Sequence, residues 1–203
     1  MRLTTLLRAS PFLLLAGLAA VACGGNVTVS NTGGAGGSGV EPIGFADCSG
    51  PGQCVLVTNG CCDTCGEPTL GVLVPINGAL ATQFHTAVCP SQPPCPKCAT
   101  QNNPNLFAYC EEGHCRGNDV RVDPVSDCTA DDDCTLRDGL ACCESCFGDT
   151  SQLVAVAKSA NLSALLCAPG QACDECAPQY PDIASAICVS GHCEVHFGGL
   201  GGP

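Results

Sequence analysis

The chain has no tryptophan, one methionine, two tyrosines and six phenylalanines in 203 residues, so aromatic side chains make up only 4% of it. Cations are almost as scarce: seven Lys and Arg stand against 19 Asp and Glu, a formal net charge of −12. So few basic residues exclude nucleic acid as a partner, since phosphate binding needs clustered Lys and Arg. The hydrophobic share of 45% overstates the material for a core, because it counts the cysteines and an apolar start. With those set aside, roughly 30% of the remaining chain is apolar, too little for the large aliphatic interior of a cytosolic enzyme of this length. The one long apolar run, over 11–22, is too short to span a bilayer. The sequence carries no nucleophile elbow, phosphate loop or paired-carboxylate pattern, so it reads as non-catalytic and without a cofactor.

What it has is cysteine, 21 residues of it, alongside 25 Gly and 15 Pro. That density is the mark of an exported, disulfide-rich scaffold. The N-terminus agrees: Met1-Arg2-Leu3 and Arg8 precede the apolar run, which ends in small residues before Cys23-Gly24-Gly25, the layout of an export signal. Leu18-Ala19-Ala20-Val21-Ala22-Cys23 resembles the lipobox of bacterial lipoprotein precursors, with Ala20 where Leu is usual. The resemblance implies cleavage before Cys23, acylation of that cysteine and attachment to a membrane through the N-terminal lipid. Two or three acyl chains anchor a protein stably, whereas one binds marginally. Gly24, rather than Asp, resembles lipoproteins passed on to the outer membrane, which implies a place in the bacterial cell envelope, on the periplasmic face or the cell surface. The Gly/Ser-rich stretch that follows has almost no charge and reads as a coiled tether with an r.m.s. span of roughly 25 Å.

Beyond the tether the cysteine spacing repeats. Cys48, Cys54, Cys61, Cys62, Cys65, Cys89, Cys95, Cys98, Cys110 and Cys115 have gaps of 5, 6, 0, 2, 23, 5, 2, 11 and 4. Cys128, Cys134, Cys142, Cys143, Cys146, Cys167, Cys173, Cys176, Cys188 and Cys193 have gaps of 5, 7, 0, 2, 20, 5, 2, 11 and 4. Such a match predicts a duplicated unit. It divides the chain into a signal peptide over 1–22, a lipidated tether over 23–46, repeats over 47–122 and 123–196, and a Gly-rich tail over 197–203. Asp47 aligns with Asp127, Phe84 with Leu162, Ala99 with Ala177, Gln101 with Gln179, and Gly113-His114 with Gly191-His192.

The expected fold class is small, disulfide-rich α+β, each repeat holding short strands, one helix and a C-terminal β-hairpin. Strands are predicted from Cys54 and from Cys134. A helix is predicted over 77–89, where Leu80, Phe84, Ala87 and Val88 share a face behind an Asn77 cap, with Pro75 and Gly78 shortening its start. Its counterpart is predicted over 151–167, from Val154, Ala157, Leu162, Leu165 and Leu166. Hairpins are predicted around Glu112-Gly113 and Ser190-Gly191.

Three chemistries compete for the cysteines. Disulfides are favoured by export, and spacing alone cannot give their connectivity. Adjacent Cys61 and Cys62 sit closer than a relaxed disulfide spans and should pull apart, as should Cys142 and Cys143. A hairpin can set Cys110 opposite Cys115 within bonding reach, making a local bridge one option. Zinc is the second chemistry: Cys62-x-x-Cys65 with Cys95-x-x-Cys98, and Cys143-x-x-Cys146 with Cys173-x-x-Cys176, approach zinc-ribbon spacing. Redox catalysis is the third, and Asp174 and Glu175 oppose it, because a low thiolate pKa needs positive neighbours.

Asp131-Asp132-Asp133 lacks the spacing of a calcium loop and reads as a solvated turn, the first repeat having Pro51-Gly52-Gln53 there. His114 and His192 read as solvent-facing turn residues with no matched side chain to orient them. The expectation is a membrane-anchored, non-catalytic protein whose two modules bind an unidentified protein or serve the envelope structurally. The alternative is a protease inhibitor working through pinned loops such as Ser91-Gln92-Pro93-Pro94 or 66–78.

Overall fold

The computed structural model describes residues 44–91, 93–146 and 148–198. The expected leader, the expected lipidation site Cys23, the expected tether up to residue 43 and the chain beyond residue 198 lie outside them. The described chain is small and disulfide-rich, with short strands in two-stranded antiparallel hairpins and two short α-helices among the described residues.

Strand β1 (Cys54–Thr58) pairs with β2 (Leu73–Asn77), and β3 (Leu106–Glu111) with β4 (His114–Asp119). In the second half β5 (Cys134–Asp138) pairs with β6 (Leu153–Ala157), and β7 (Ala184–Val189) with β8 (His192–Phe197). The predicted hairpins stand where the turn chemistry put them. Glu112 and Gly113 have φ of 49° and 84°, Ser190 and Gly191 φ of 53° and 92°, the double left-handed geometry that matches strand twist. Pro75 sits inside β2 opposite Leu56, at a position whose N–H would point out of the ladder, so no ladder bond is lost.

Helix α1 (Ala81–Val88) begins later than the expected 77, because Asn77 ends β2 and its side chain caps a 3-10 turn by accepting from Ala79 N–H. The helix buries Phe84 edge-on against Phe45, ring centroids 5.4 Å apart, beside Ile76. The helix predicted over 151–167 is overturned. Its first half is β6, and only α2 (Leu162–Leu166) is helical. Leu153-Val-Ala-Val-Ala157 is buried on both faces, and such a run shows neither strand alternation nor a helical stripe, so periodicity could not place it.

Each set of ten cysteines closes in one order: first to ninth, second to tenth, third to sixth, fourth to seventh, fifth to eighth. The bridges are Cys48–Cys110, Cys54–Cys115, Cys61–Cys89, Cys62–Cys95 and Cys65–Cys98 in the first set. The second has Cys128–Cys188, Cys134–Cys193, Cys142–Cys167, Cys143–Cys173 and Cys146–Cys176. A local Cys110–Cys115 bridge is therefore excluded. The two residues do face each other across the hairpin, but the segment through Asp47 crosses its tip and brings Cys48 to Cys110, while β1 brings Cys54 to Cys115.

The two hairpins of the first half stack so closely that a Cβ at Gly117 would lie 2.9 Å from Leu56 Cδ2. The largest apolar cluster then joins the halves: Phe107 and Val120 from the first pack with Val154, Val156, Leu162 and Leu166 from the second. A core built from both halves should melt as one. Phe107→Ala should cost about 3–5 kcal/mol, and in guanidinium under non-reducing conditions a single transition should shift for probes placed in either half. Two separate transitions would contradict the shared core.

Candidate binding groove

The paired CxxC motifs are cross-linked rung by rung, so their sulfurs present no thiolates for zinc or redox work in this state. Three sets of cysteine sulfurs lie within 4.8 Å of one another: Cys48, Cys54 and Cys110; Cys128, Cys134 and Cys193; Cys142, Cys143 and Cys173. Each is made of neighbouring disulfides rather than a ligand set.

The histidine turns depart from expectation. His114 Nδ1 lies 3.2 Å from Asp47 Oδ1, and His192 Nδ1 lies 3.4 Å from Asp127 Oδ1, so a matched carboxylate does orient each ring. The signal was available in the sequence, as two aligned Asp and two aligned His, but the residues are more than sixty positions apart and only the bridges Asp47↔His114 and Asp127↔His192 bring them together. His192 is also the more enclosed ring, and the fully buried Ser126 Oγ approaches the same Nδ1 at 3.0 Å. That hydroxyl donates to Asp123 C=O at 2.9 Å, which leaves it to accept from Nδ1–H. Serine and carboxylate thus share one ring nitrogen, whereas a nucleophile, base and orienting acid need both. These turns are structural clasps at the tip of each hairpin.

The acidic turn is a clasp as well. Asp133 Oδ2 accepts from Thr129 N–H, Thr129 Oγ1 and Ala130 N–H at 2.8, 2.7 and 3.0 Å. In the first half Gln53 Oε1 takes the same place, accepting from Ser49 N–H at 2.8 Å. The framework therefore uses a side-chain oxygen before the second cysteine of each set, as amide or as carboxylate, which the sequence comparison overlooked.

Where the halves meet, the surface opens into a groove of about 580 Å³. Cys54, Val55 and Leu56 of β1 and Leu106, Phe107 and Ala108 of β3 line it from the first half, with Leu140, Ala141 and Leu166 from the second. Amides stand along it: Gln101, Asn102, Asn103 and Gln171. The parallel bridge Gly66↔Thr100 and the bond from Asn103 Nδ2 to Pro68 C=O, 3.0 Å, fix the segment carrying the first three. Asn102 Nδ2 reaches across the junction to Gln152 Oε1 at 2.7 Å. Among the described residues that line it, not one is Asp, Glu, Lys, Arg or His, in a chain of net charge −12. The groove extends past Asn102 and Leu140 into a second hollow of about 330 Å³ beside Asp138 and Ser145. Sequence reasoning missed the groove, since its walls come from segments joined only by folding. Of its amides only Gln101 stands out in the sequence, as a match to Gln179.

Among known proteins, no family model, curated protein or solved structure matches this chain.

Hydrogen bonds from Thr129, the hydroxyl foremost and then the backbone, hold the Asp133 carboxyl below its ordinary range. Its stabilising effect is present above the unfolded-state pKa and lost as pH falls through the depressed folded value. Asp133→Ala should lower the Tm at pH 7, and the gap from the unsubstituted chain should close by about pH 2 in calorimetry. A gap that stays constant with pH would refute the clasp.

Proposed function

We propose that this chain is a non-catalytic lipoprotein of the bacterial cell envelope that binds a partner in the groove between its two disulfide-pinned halves. The neutral groove carries the reading: in an acidic chain, a concave surface with apolar walls and a few amides suits recognition without charge. The leader ending in Leu18-Ala19-Ala20-Val21-Ala22-Cys23 supports lipid attachment at Cys23, and Gly24 supports passage to the outer membrane. The Gly-rich tether holds the folded part clear of the lipid.

The halves are read as copies of one unit, over 47–122 and 123–196. Besides the bridge order, backbone bonds recur between positions matched by the cysteines: Cys48 N–H to Gly113 C=O and Cys128 N–H to Gly191 C=O, both 2.9 Å, and Gly78 N–H to Gln53 C=O with Lys158 N–H to Asp133 C=O, 2.7 and 2.8 Å. A second reading, a tethered protease inhibitor, is favoured by the exposed segment around Pro93–Lys97, pinned by Cys89, Cys95 and Cys98. Inhibition of one enzyme in a panel of serine, cysteine and metalloproteases, lost when that loop is replaced, would install it in place of groove binding.

Radiolabelled palmitate should enter the chain expressed in a bacterial host and disappear in Cys23→Ala. Undiminished labelling of the variant would remove the anchor from the proposal.

A further inference from the structure

The groove is bounded by two strand edges whose backbone groups are not all satisfied. Val120 N–H bonds Asn105 C=O at 2.8 Å and Glu111 pairs with His114 at the turn, so alternation sends Phe107 and Tyr109 inward to β4 and Ala108 and Cys110 outward. In β1, Asn59 N–H to Val72 C=O and Gly78 N–H to Gln53 C=O likewise turn Cys54 and Leu56 outward. Strands β1 and β3 pair only with β2 and β4, and among the described residues no backbone carbonyl outside those strands accepts from the outward N–H of Leu56, Ala108 or Cys110. Leu56 and Ala108 both line the groove.

The second half covers two outward N–H groups whose matches in the first half, Thr58 and Cys110, have no such cover. Asp138 N–H, the counterpart of Thr58, donates to Glu144 Oε1, and Cys188 N–H, the counterpart of Cys110, donates to Asp131 Oδ1, both at 2.8 Å. Carboxylates laid on outward N–H groups blunt an edge against further pairing. Pro51 stands where Asp131 would be and offers no side-chain acceptor. The cavity beside β5 also carries Arg137, Glu144 and Lys158, whereas the groove beside β1 and β3 carries no charge.

The geometry points to strand addition: an extended, uncharged segment of a partner polypeptide pairs with the open edge of β3 and lies along the groove. This rests on the groove-binding reading and names the partner's chemistry. Main-chain bonds to Ala108 and Cys110 supply affinity, and alternate side chains of the incoming strand enter between Leu56, Leu140 and Leu166. A charged side chain there would be desolvated without a counter-ion, which selects uncharged residues at those alternate positions.

The test uses the whole disulfide-bonded chain and a displayed library of random heptapeptides. Enriched peptides should be uncharged with apolar residues at alternate positions. Titration calorimetry on a synthetic copy of the best binder should show affinity falling about tenfold or more when backbone N-methyl groups are placed at every second residue, and little change at the intervening ones. Leu140→Arg and the exposed Gln101→Glu should both weaken binding, with the Tm of Gln101→Glu unchanged. A peptide that is weakened by these variants but indifferent to methylation overturns strand addition and leaves groove binding intact. Failure to enrich any peptide, or binders indifferent to both variants, overturns strand addition and groove binding together. A chain that sediments as a dimer, and as a monomer when Gln101→Glu is introduced, would put a second copy in the groove and overturn the external partner.

Discussion

A trans peptide holds the Cα atoms of Cys61 and Cys62 about 3.8 Å apart, short of the roughly 4.4–6.8 Å that a relaxed disulfide spans. The adjacent sulfurs must leave for different partners, and where they go organises each half. Cys61 takes the end of α1 at Cys89, while Cys62 takes the irregular segment at Cys95, and Cys142 and Cys143 do the same with Cys167 and Cys173. One dipeptide thereby fixes a helix end and a long loop to the turn that follows β1 or β5. The bridges Cys48–Cys110 and Cys54–Cys115 then tie the start of the first half to its last hairpin across 62 and 61 residues, and Cys128–Cys188 and Cys134–Cys193 do the same in the second across 60 and 59. In the chain-entropy account, long closed loops restrict the unfolded state most, each bridge contributing about 2–4 kcal/mol, though in a dense network these do not add. This is how a chain with so few aromatics holds its shape.

The cross-links stay within a half, and the apolar packing does not. Phe107 and Val120 meet Val154, Val156, Leu162 and Leu166 across the junction, so the halves are set at one fixed angle rather than strung as independent beads. Two binding surfaces on a flexible string would gain from avidity. A fixed junction instead gives one composite surface, and the groove is that surface: its walls belong to β1 and β3 on one side and to Leu140 and Leu166 on the other.

The parts of this fold legible in the sequence are those set by local chemistry. Gly113 and Gly191 announced their turns because the left-handed backbone there favours glycine, and the divergence of Cys61 from Cys62 follows from peptide geometry alone. Strand β6 was not legible, since an apolar run buried on both faces loses the alternation that distinguishes strand from helix. The partner of Cys110 was not legible either: the hairpin offers Cys115 at the right place, and only the crossing of the 44–48 segment, some sixty residues earlier, decides for Cys48. The clasps His114–Asp47 and His192–Asp127 lay between, visible as aligned pairs but joined only by the fold.

On the duplication reading, the most informative positions are those where the halves disagree. Gln53 and Asp133 differ in charge yet cap the same turn, so that difference leaves the framework untouched. Pro51 and Asp131 differ in what they do: Asp131 lays a carboxylate on the outward N–H of Cys188, and Pro51 leaves that of Cys110 uncovered. Glu144 covers Asp138 N–H in the same way, and the short bond from the Tyr180 hydroxyl holds that carboxylate in place while burial and the neighbouring charge push the phenol far above its usual range. An exposed edge is a liability that selection ordinarily blunts with charge. One half keeps that protection and the other dispenses with it at Thr58 and Cys110, on the two strands that line the groove, so part of the acidic surplus serves to keep one edge closed, and its absence from the groove keeps the other available.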